Sequence, residues 1–348
     1  MVKAIIAGLF VAVDVMAQSA MLNLPRASQH ARITQRIGIT DITIDYSRPL
    51  VRGRKIFGKV EAYGQVWRAG ANENTVIEFT DPVTIEGQAL GKGMYGLHMI
   101  PGETSWVVIF SKNHTSWGSF TYDQAEDALR VTVKPEAAEN QESLTYDFDD
   151  LKPNFTVVTM RWEKVAVRFR VDVNTPEVVE ASLRNQLRGR IQFEWQPWME
   201  VANYLLDNKL SAEEAVKDAD NAIANEDRFE CEITKARALR TLGRKETAQA
   251  TYEKALAMGN QPQIHSFARV LQGQGRGDEA LRLFENNIKK DPNSWIARNE
   301  AARIAVAQGD YDTALREMKQ ALARAPDAIK GQVNDLVQRL ERRVDINK

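Results

Sequence analysis

Cysteine is nearly absent from this chain, with Cys231 the only one in 348 residues. A single thiol excludes an internal disulfide and a cysteine zinc cluster, so the fold must be held by packing and hydrogen bonds. Cys231 itself reads as a small buried hydrophobe. Histidine is scarce as well. His30, His98, His114 and His265 lack the local spacing of a metal site, and neither a metal nor a cofactor is expected. An excess of one charge is missing: 46 basic residues face 47 acidic ones, for a net charge of −1. That balance lacks the electrostatic footprint of nucleic-acid binding, so no nucleic-acid partner is expected. Beyond residue 17 no apolar run approaches the roughly 20 residues of a membrane-spanning helix. Neither a G-x-S-x-G elbow, a Walker A loop, a dinucleotide fingerprint nor an H-E-x-x-H helix is found. Nothing here names an enzyme.

What is present begins with the first 17 residues. Lys3 supplies a positive charge, an almost wholly apolar stretch follows, and Val15-Met16-Ala17 places small residues where a signal peptidase reads them. Residues 1–17 are expected to form a secretory signal cut before Gln18, which makes the mature protein periplasmic or extracellular. Asp14 inside the apolar stretch weakens that pattern.

From about residue 32 to residue 173 the hydrophobic period is two. Ile42, Ile44 and Tyr46 alternate with Thr43 and Asp45, and Val165, Val167, Phe169 and Val171 alternate with Ala166, Arg168 and Arg170. The run Trp106-Val107-Val108-Ile109-Phe110 predicts a strand covered on both faces. Short strands punctuated by Gly, Pro and Asp, with no helical segments between them, predict an antiparallel β-sandwich or barrel over residues 25–173. The same stretch carries a series of ordered blocks: Tyr46-Ser47-Arg48-Pro49, Gly53-Arg54-Lys55-Ile56-Phe57-Gly58, Val66-Trp67-Arg68-Ala69-Gly70-Ala71-Asn72-Glu73, Gly93-Met94-Tyr95-Gly96-Leu97-His98 and Trp117-Gly118-Ser119. This pattern resembles the bacterial domain of unknown function 2911. The resemblance implies an exported domain and supplies no activity.

Candidate ligand-binding residues in this half are Arg48, Trp67, Arg68, Asn72 and His98. An arginine presents a planar fork to carboxylate or phosphate, and a tryptophan a flat apolar face, which suits an anionic or sugar-like ligand. The plainer reading makes Trp67 core and the arginines partners of scaffold acids. Strand parity puts His98 on one face with Gly96 and Ile100, away from Leu97 and Met99. Asp123, Glu126 and Asp127 cluster after Trp117-Gly118-Ser119, but neighbouring acids in one loop do not establish the opposed carboxylates of a glycosidase.

Asn174-Thr175-Pro176 ends the strands, and residues 174–195 are expected to form a linking helix and an aromatic-rich entry to the second half. Over residues 196–343 the chain repeats. Leu242-Gly243-Arg244, Gln274-Gly275-Arg276 and Gln308-Gly309-Asp310 space their glycines by 32 and 34 residues, and Leu210-Ser211-Ala212 begins an earlier, glycine-free copy. Ala222, Ala255 and Ala321 recur at one position, where the third copy has Asn287. Period and turn resemble tetratricopeptide repeats, closed by an amphipathic capping helix. The expected fold is therefore α+β in two separate domains, an all-β sandwich or barrel followed by an all-α tetratricopeptide-like solenoid. Such arrays bind extended protein or peptide segments in a concave groove. Arg237, Arg269 and Arg303 recur on the first helix of successive repeats and form a candidate ladder for a carboxylate-bearing partner, unless they pair with acids such as Glu232 or Glu300. The expected function is an exported binding or scaffolding protein; the alternative is an envelope hydrolase with its site in the β domain.

Overall fold

A computed structural model describes residues 25–348 and divides into two compact units at Val178/Val179. Among the described residues of the first unit, ten strands build two antiparallel sheets. One is six-stranded, in the order β1 (Gln29–Ile37), β2 (Thr40–Arg48), β3 (Thr75–Phe79), β6 (Gly93–Ile100), β7 (Trp106–Ser111) and β8 (Asp127–Val133). The other is four-stranded, in the order β5 (Gln88–Leu90), β4 (Val83–Ile85), β10 (Phe155–Asp172) and β9 (Glu136–Lys152). The inward residues of both sheets form one core, which includes Ile42, Ile44, Ile77, Leu97, Val108, Phe110, Tyr146, Met160, Trp162 and Phe169. Alternation in sequence thus became alternation across the pleat, with one face sunk in a shared interior. β7, flanked by β6 and β8, departs from strict alternation: Trp106, Val108 and Phe110 enter the core, while Ile109 is fully buried on the opposite face. The two-sided apolar run foretold this.

The second unit stacks helix pairs. After α1 (Thr175–Gln186) come α2 (Trp195–Asp207), α3 (Ala212–Asn225), α4 (Phe229–Thr241), α5 (Lys245–Met258), α6 (Gln261–Gly273), α7 (Gly277–Ile288), α8 (Trp295–Ala307), α9 (Tyr311–Arg324) and α10 (Asp327–Glu341). Each even-numbered helix from α2 to α8 packs antiparallel on its successor, and small residues fill the seams: Ala215, Ala219, Ala222, Ala255, Ala268, Ala280, Ala302, Ala314 and Ala321 are all completely buried. The turns between partners share one conformation. Gly243, Gly275 and Gly309 sit at φ +74°, +78° and +79°, in the left-handed region that glycine enters at no steric cost. Lys209 and Arg343 occupy the same turn position in the first and last units, at φ +56° and +55°. The glycine missing from sequence in the first repeat is replaced by a lysine in the same backbone geometry. Among the described residues no helix is long and apolar enough to cross a membrane.

Candidate functional site

The five candidates of the β domain part company in the structure. Trp67 is core: its ring stacks on Trp162 with centroids 5.7 Å apart, and its Nε1 donates to the Gly70 carbonyl at 3.1 Å. Arg48 donates from Nε to the Leu144 carbonyl at 3.0 Å, tying the end of β2 to β9. Asn72, at φ +62°, donates to the Ser28 carbonyl and to Ser47 Oγ, both at 3.2 Å, and so holds its own turn. These three serve the scaffold.

Arg68 and His98 instead flank one loop, at residues 117–119. The Arg68 guanidinium lies 5.7 Å from the Trp117 ring centroid, and a Cβ on Gly118 would stand 2.6 Å from its Nη1. Gly118 is at φ +77°, so the backbone conformation favours glycine there. His98 Nδ1 is 3.0 Å from Ser119 Oγ, and its ring packs 5.4 Å from Tyr122. His98 is on the face opposite Leu97 and Met99, as the pleat requires, yet it is only 3% exposed. Burial drives its pKa down to about 4, against a weaker upward pull from Asp127. Asp127 does not bond His98; it accepts from Tyr122 Oη at 2.7 Å and from Arg130 Nε at 2.5 Å. Asp123 caps a short helical turn by accepting from the Ala125 amide at 2.9 Å. The crevice between His98, Ser111, Asn113, Gly118 and Tyr122 is too narrow to admit water. Among the described residues, no three His, Cys, Asp or Glu side chains gather in a metal-binding cluster. Above this closed crevice, Trp117 and Phe120 stack at 6.0 Å while 57% and 80% exposed.

The open site is in the helical unit. A cavity of about 690 Å³ runs over α2, α4 and α6, with Met199 and Asn203 at one end, Ile233, Phe267 and Val270 along its floor, and Arg237, Arg240 and Arg276 among its polar lining. Val270 is 54% exposed although apolar. Phe267 packs against Phe229 and Tyr252, each with ring centroids 6.0 Å away. Arg240 lies over the Tyr252 ring at 5.8 Å. Glu230 accepts from Gln263 Nε2 at 2.9 Å through Oε1, while its Oε2 is buried with no partner among the described residues. An orphaned buried acceptor of this kind costs stability.

The arginine ladder is broken by the structure. Arg237 lines the cavity, ion-paired to Asp207. Arg269 binds Gln272 on its own helix. Arg303 is covered: it is 4% exposed, its Nε donates to Asn299 Oδ1 at 2.9 Å, and its Nη1 donates to the Ile346 carbonyl at 2.5 Å. The correction has a simple cause, since residues after α10 fold back over Arg303. Sequence reasoning missed Glu230, Phe267 and Val270. The signal was faint: Val270 is an apolar residue left exposed on α6, two positions from the buried Ala268.

The chain thus combines a β-sandwich with a helical repeat array of the kind that scaffolds protein interactions. Residues 28–171 match the family described as protein of unknown function DUF2911, and residues 233–258 and 265–329 match tetratricopeptide repeat models, so a DUF2911 domain is followed by tetratricopeptide repeats. No curated protein matches the chain. Similar solved structures include MamA (16% identity, 45% of this chain and 92% of that one, TM-score 0.29) and YrrB, described as a TPR protein with an unusual peptide-binding site (18% identity, 46% and 86%, TM-score 0.24). A tetratricopeptide repeat protein from Parabacteroides merdae is similar over 49% of this chain and 68% of that one, at 16% identity and a TM-score of 0.29. These superpositions are too loose to bear on function.

Proposed function

We infer that the protein is an exported scaffold whose repeat groove grips an extended segment of a partner protein. The observation that supports this most is the cavity over α2, α4 and α6, which sets half-buried Phe267 and exposed Val270 beside Glu230. The floor takes an apolar side chain, and Glu230 takes a backbone N–H of the same segment. In the β domain, Trp117 and Phe120 offer a second, aromatic contact surface. The hydrolase alternative needs Arg48, Arg68, His98 and Asp123 on one open cavity; Arg48 and Asp123 are spent on backbone groups, and His98 is buried.

The groove reading is tested by panning a random peptide library on the full chain and measuring the selected peptides by fluorescence anisotropy. Ser266, an exposed lining residue, is the place to block the cavity. Ser266→Trp should weaken the selected peptides by at least about tenfold with unchanged helicity, since an occluded apolar pocket forfeits on the order of 1.4 kcal/mol or more. Equal affinity for both proteins would refute the groove. Export rests on Lys3, the apolar stretch and Val15-Met16-Ala17, all outside the described residues. N-terminal sequencing of protein from an envelope fraction should begin at Gln18; an intact Met1 in that fraction would end the signal-peptide reading.

A further inference from the structure

The residues after α10 behave as a bound peptide. α10 ends at a left-handed Arg343, and the chain then turns back across α8 and α6. Ile346 is completely buried among Ala302, Val306, Val337 and Leu340. The backbone of this segment is read by arginines: Arg303 Nη1 donates to the Ile346 carbonyl at 2.5 Å, and Arg339 Nη2 to the Asp345 carbonyl. Its side chain at Asn347 is read twice, with Nδ2 donating to the Arg303 carbonyl at 2.9 Å and Oδ1 accepting from Gln272 Nε2 at 3.0 Å.

Two facts set this apart from an ordinary helix cap. Arg303 precedes its turn residue Gly309 by six positions, as Arg269 precedes Gly275 and Arg237 precedes Gly243. Arg237 lines the open cavity, so repeat equivalence puts the folded-back segment on the same concave face, two repeats further along the array. The positive charge beneath the segment is also poorly matched. Among the described residues Arg303 pairs with no carboxylate, only with an amide and a carbonyl. Burial, together with repulsion from Arg269 and Arg339, pushes its pKa down to about 9. Asp345 and Glu300 offset this in part, and Glu300 is already engaged by His265 and Asn287. A buried guanidinium gains most from a carboxylate held bidentately, which the segment does not provide.

We propose that residues 344–347 are an internal plug over a second peptide site on α6 and α8, displaced by a partner's extended segment that carries an apolar side chain next to a carboxylate. The apolar side chain takes the Ile346 socket, and the carboxylate takes Arg303 with Arg269 or Arg339. This deepens the groove reading and rests on it, but its test reads the plug alone, so either can fail without the other.

The probe is the fluorescein-labelled peptide Arg-Arg-Val-Asp-Ile-Asn-Lys, the chain's own residues 342–348. It should bind the full-length double variant Ile346→Ser/Asn347→Ala at least about tenfold more tightly than the unmodified chain, because a covalently tethered competitor is removed. Adding Arg303→Gln should abolish the gain, and replacing the probe's aspartate with asparagine should weaken it. Equal binding to both chains, or none to a folded double variant, overturns the proposal. If the double variant fails to fold, hydrogen exchange on the unmodified chain decides. Amides of Val344 and Asn347 exchanging at least about tenfold faster than those of α8 mark a detachable plug; exchange in step with α8 marks a fixed cap and overturns it.

Discussion

Buried His98 and half-buried Glu61 of the β domain oppose each other in their response to acid, and separating them is a sharp test of the interior chemistry. Burial lowers the pKa of His98 to about 4, from an ordinary 6.5. Burial raises that of Glu61 to about 7 from an ordinary 4.5, with Arg68 and Arg54 pulling weakly the other way. For His98 the unfolded chain binds the proton first, so stability falls as pH drops from 6.5 towards 4. For Glu61 the folded chain keeps its proton longer, so stability rises as pH drops from 7 towards 4.5. Between pH 6.5 and 4.5 each contributes a change of about 2 kcal/mol, with opposite signs, so the unmodified domain should respond little to pH there. Glu61→Gln removes one arm, and the variant should lose about 2 kcal/mol over that interval. His98→Gln removes the other and should gain about as much on acidification. The assay is urea denaturation at several pH values, followed by hydrogen exchange of β3 and β6 so that only the sheet unit is read. Identical pH slopes for all three chains would refute the reasoning.

The other expectations are structural. Trp67→Ala removes the ring stacked on Trp162 in the middle of the sandwich; it should cost about 3–5 kcal/mol, read as a lower urea midpoint for the sheet unit, and a midpoint near the original would place Trp67 outside the core. Asn287→Ala restores the small residue of the repeat consensus, yet it should destabilise the helical unit by about 2–3 kcal/mol, because Asn287 Nδ2 donates to the fully buried Glu300 at 2.7 Å. Asn287→Asp should be worse, since it sets a second carboxylate against the first; a thermal melt no lower than that of Asn287→Ala would contradict this.

Much of the fold was legible because it is written in short-range periodicity. A period of two with turn residues between runs leaves a chain little choice but an antiparallel sandwich, and a glycine every 32 to 34 residues ahead of a recurring alanine leaves little choice but stacked helix pairs. Even the imperfect copies obeyed the backbone rule, with Lys209 and Arg343 standing in left-handed turns. The site was far less legible. Arg48, Asn72 and Trp67 carry residue types that suit a ligand, but whether a guanidinium meets a ligand or a backbone carbonyl depends on a strand some 96 residues away, as with Arg48 and Leu144.

The sequence by itself determined the order of the two domains, the strand and helix types and the turn geometry, since each is a local preference repeated often enough to overrule exceptions. Only the tertiary structure decided which of three equivalent arginines faces a cavity, which is buried and what covers it. Repeat spacing makes Arg237, Arg269 and Arg303 look alike, yet Arg303 lies beneath Ile346, 43 residues further along the chain. Burial depends on contacts between residues distant in sequence, and no local period records them.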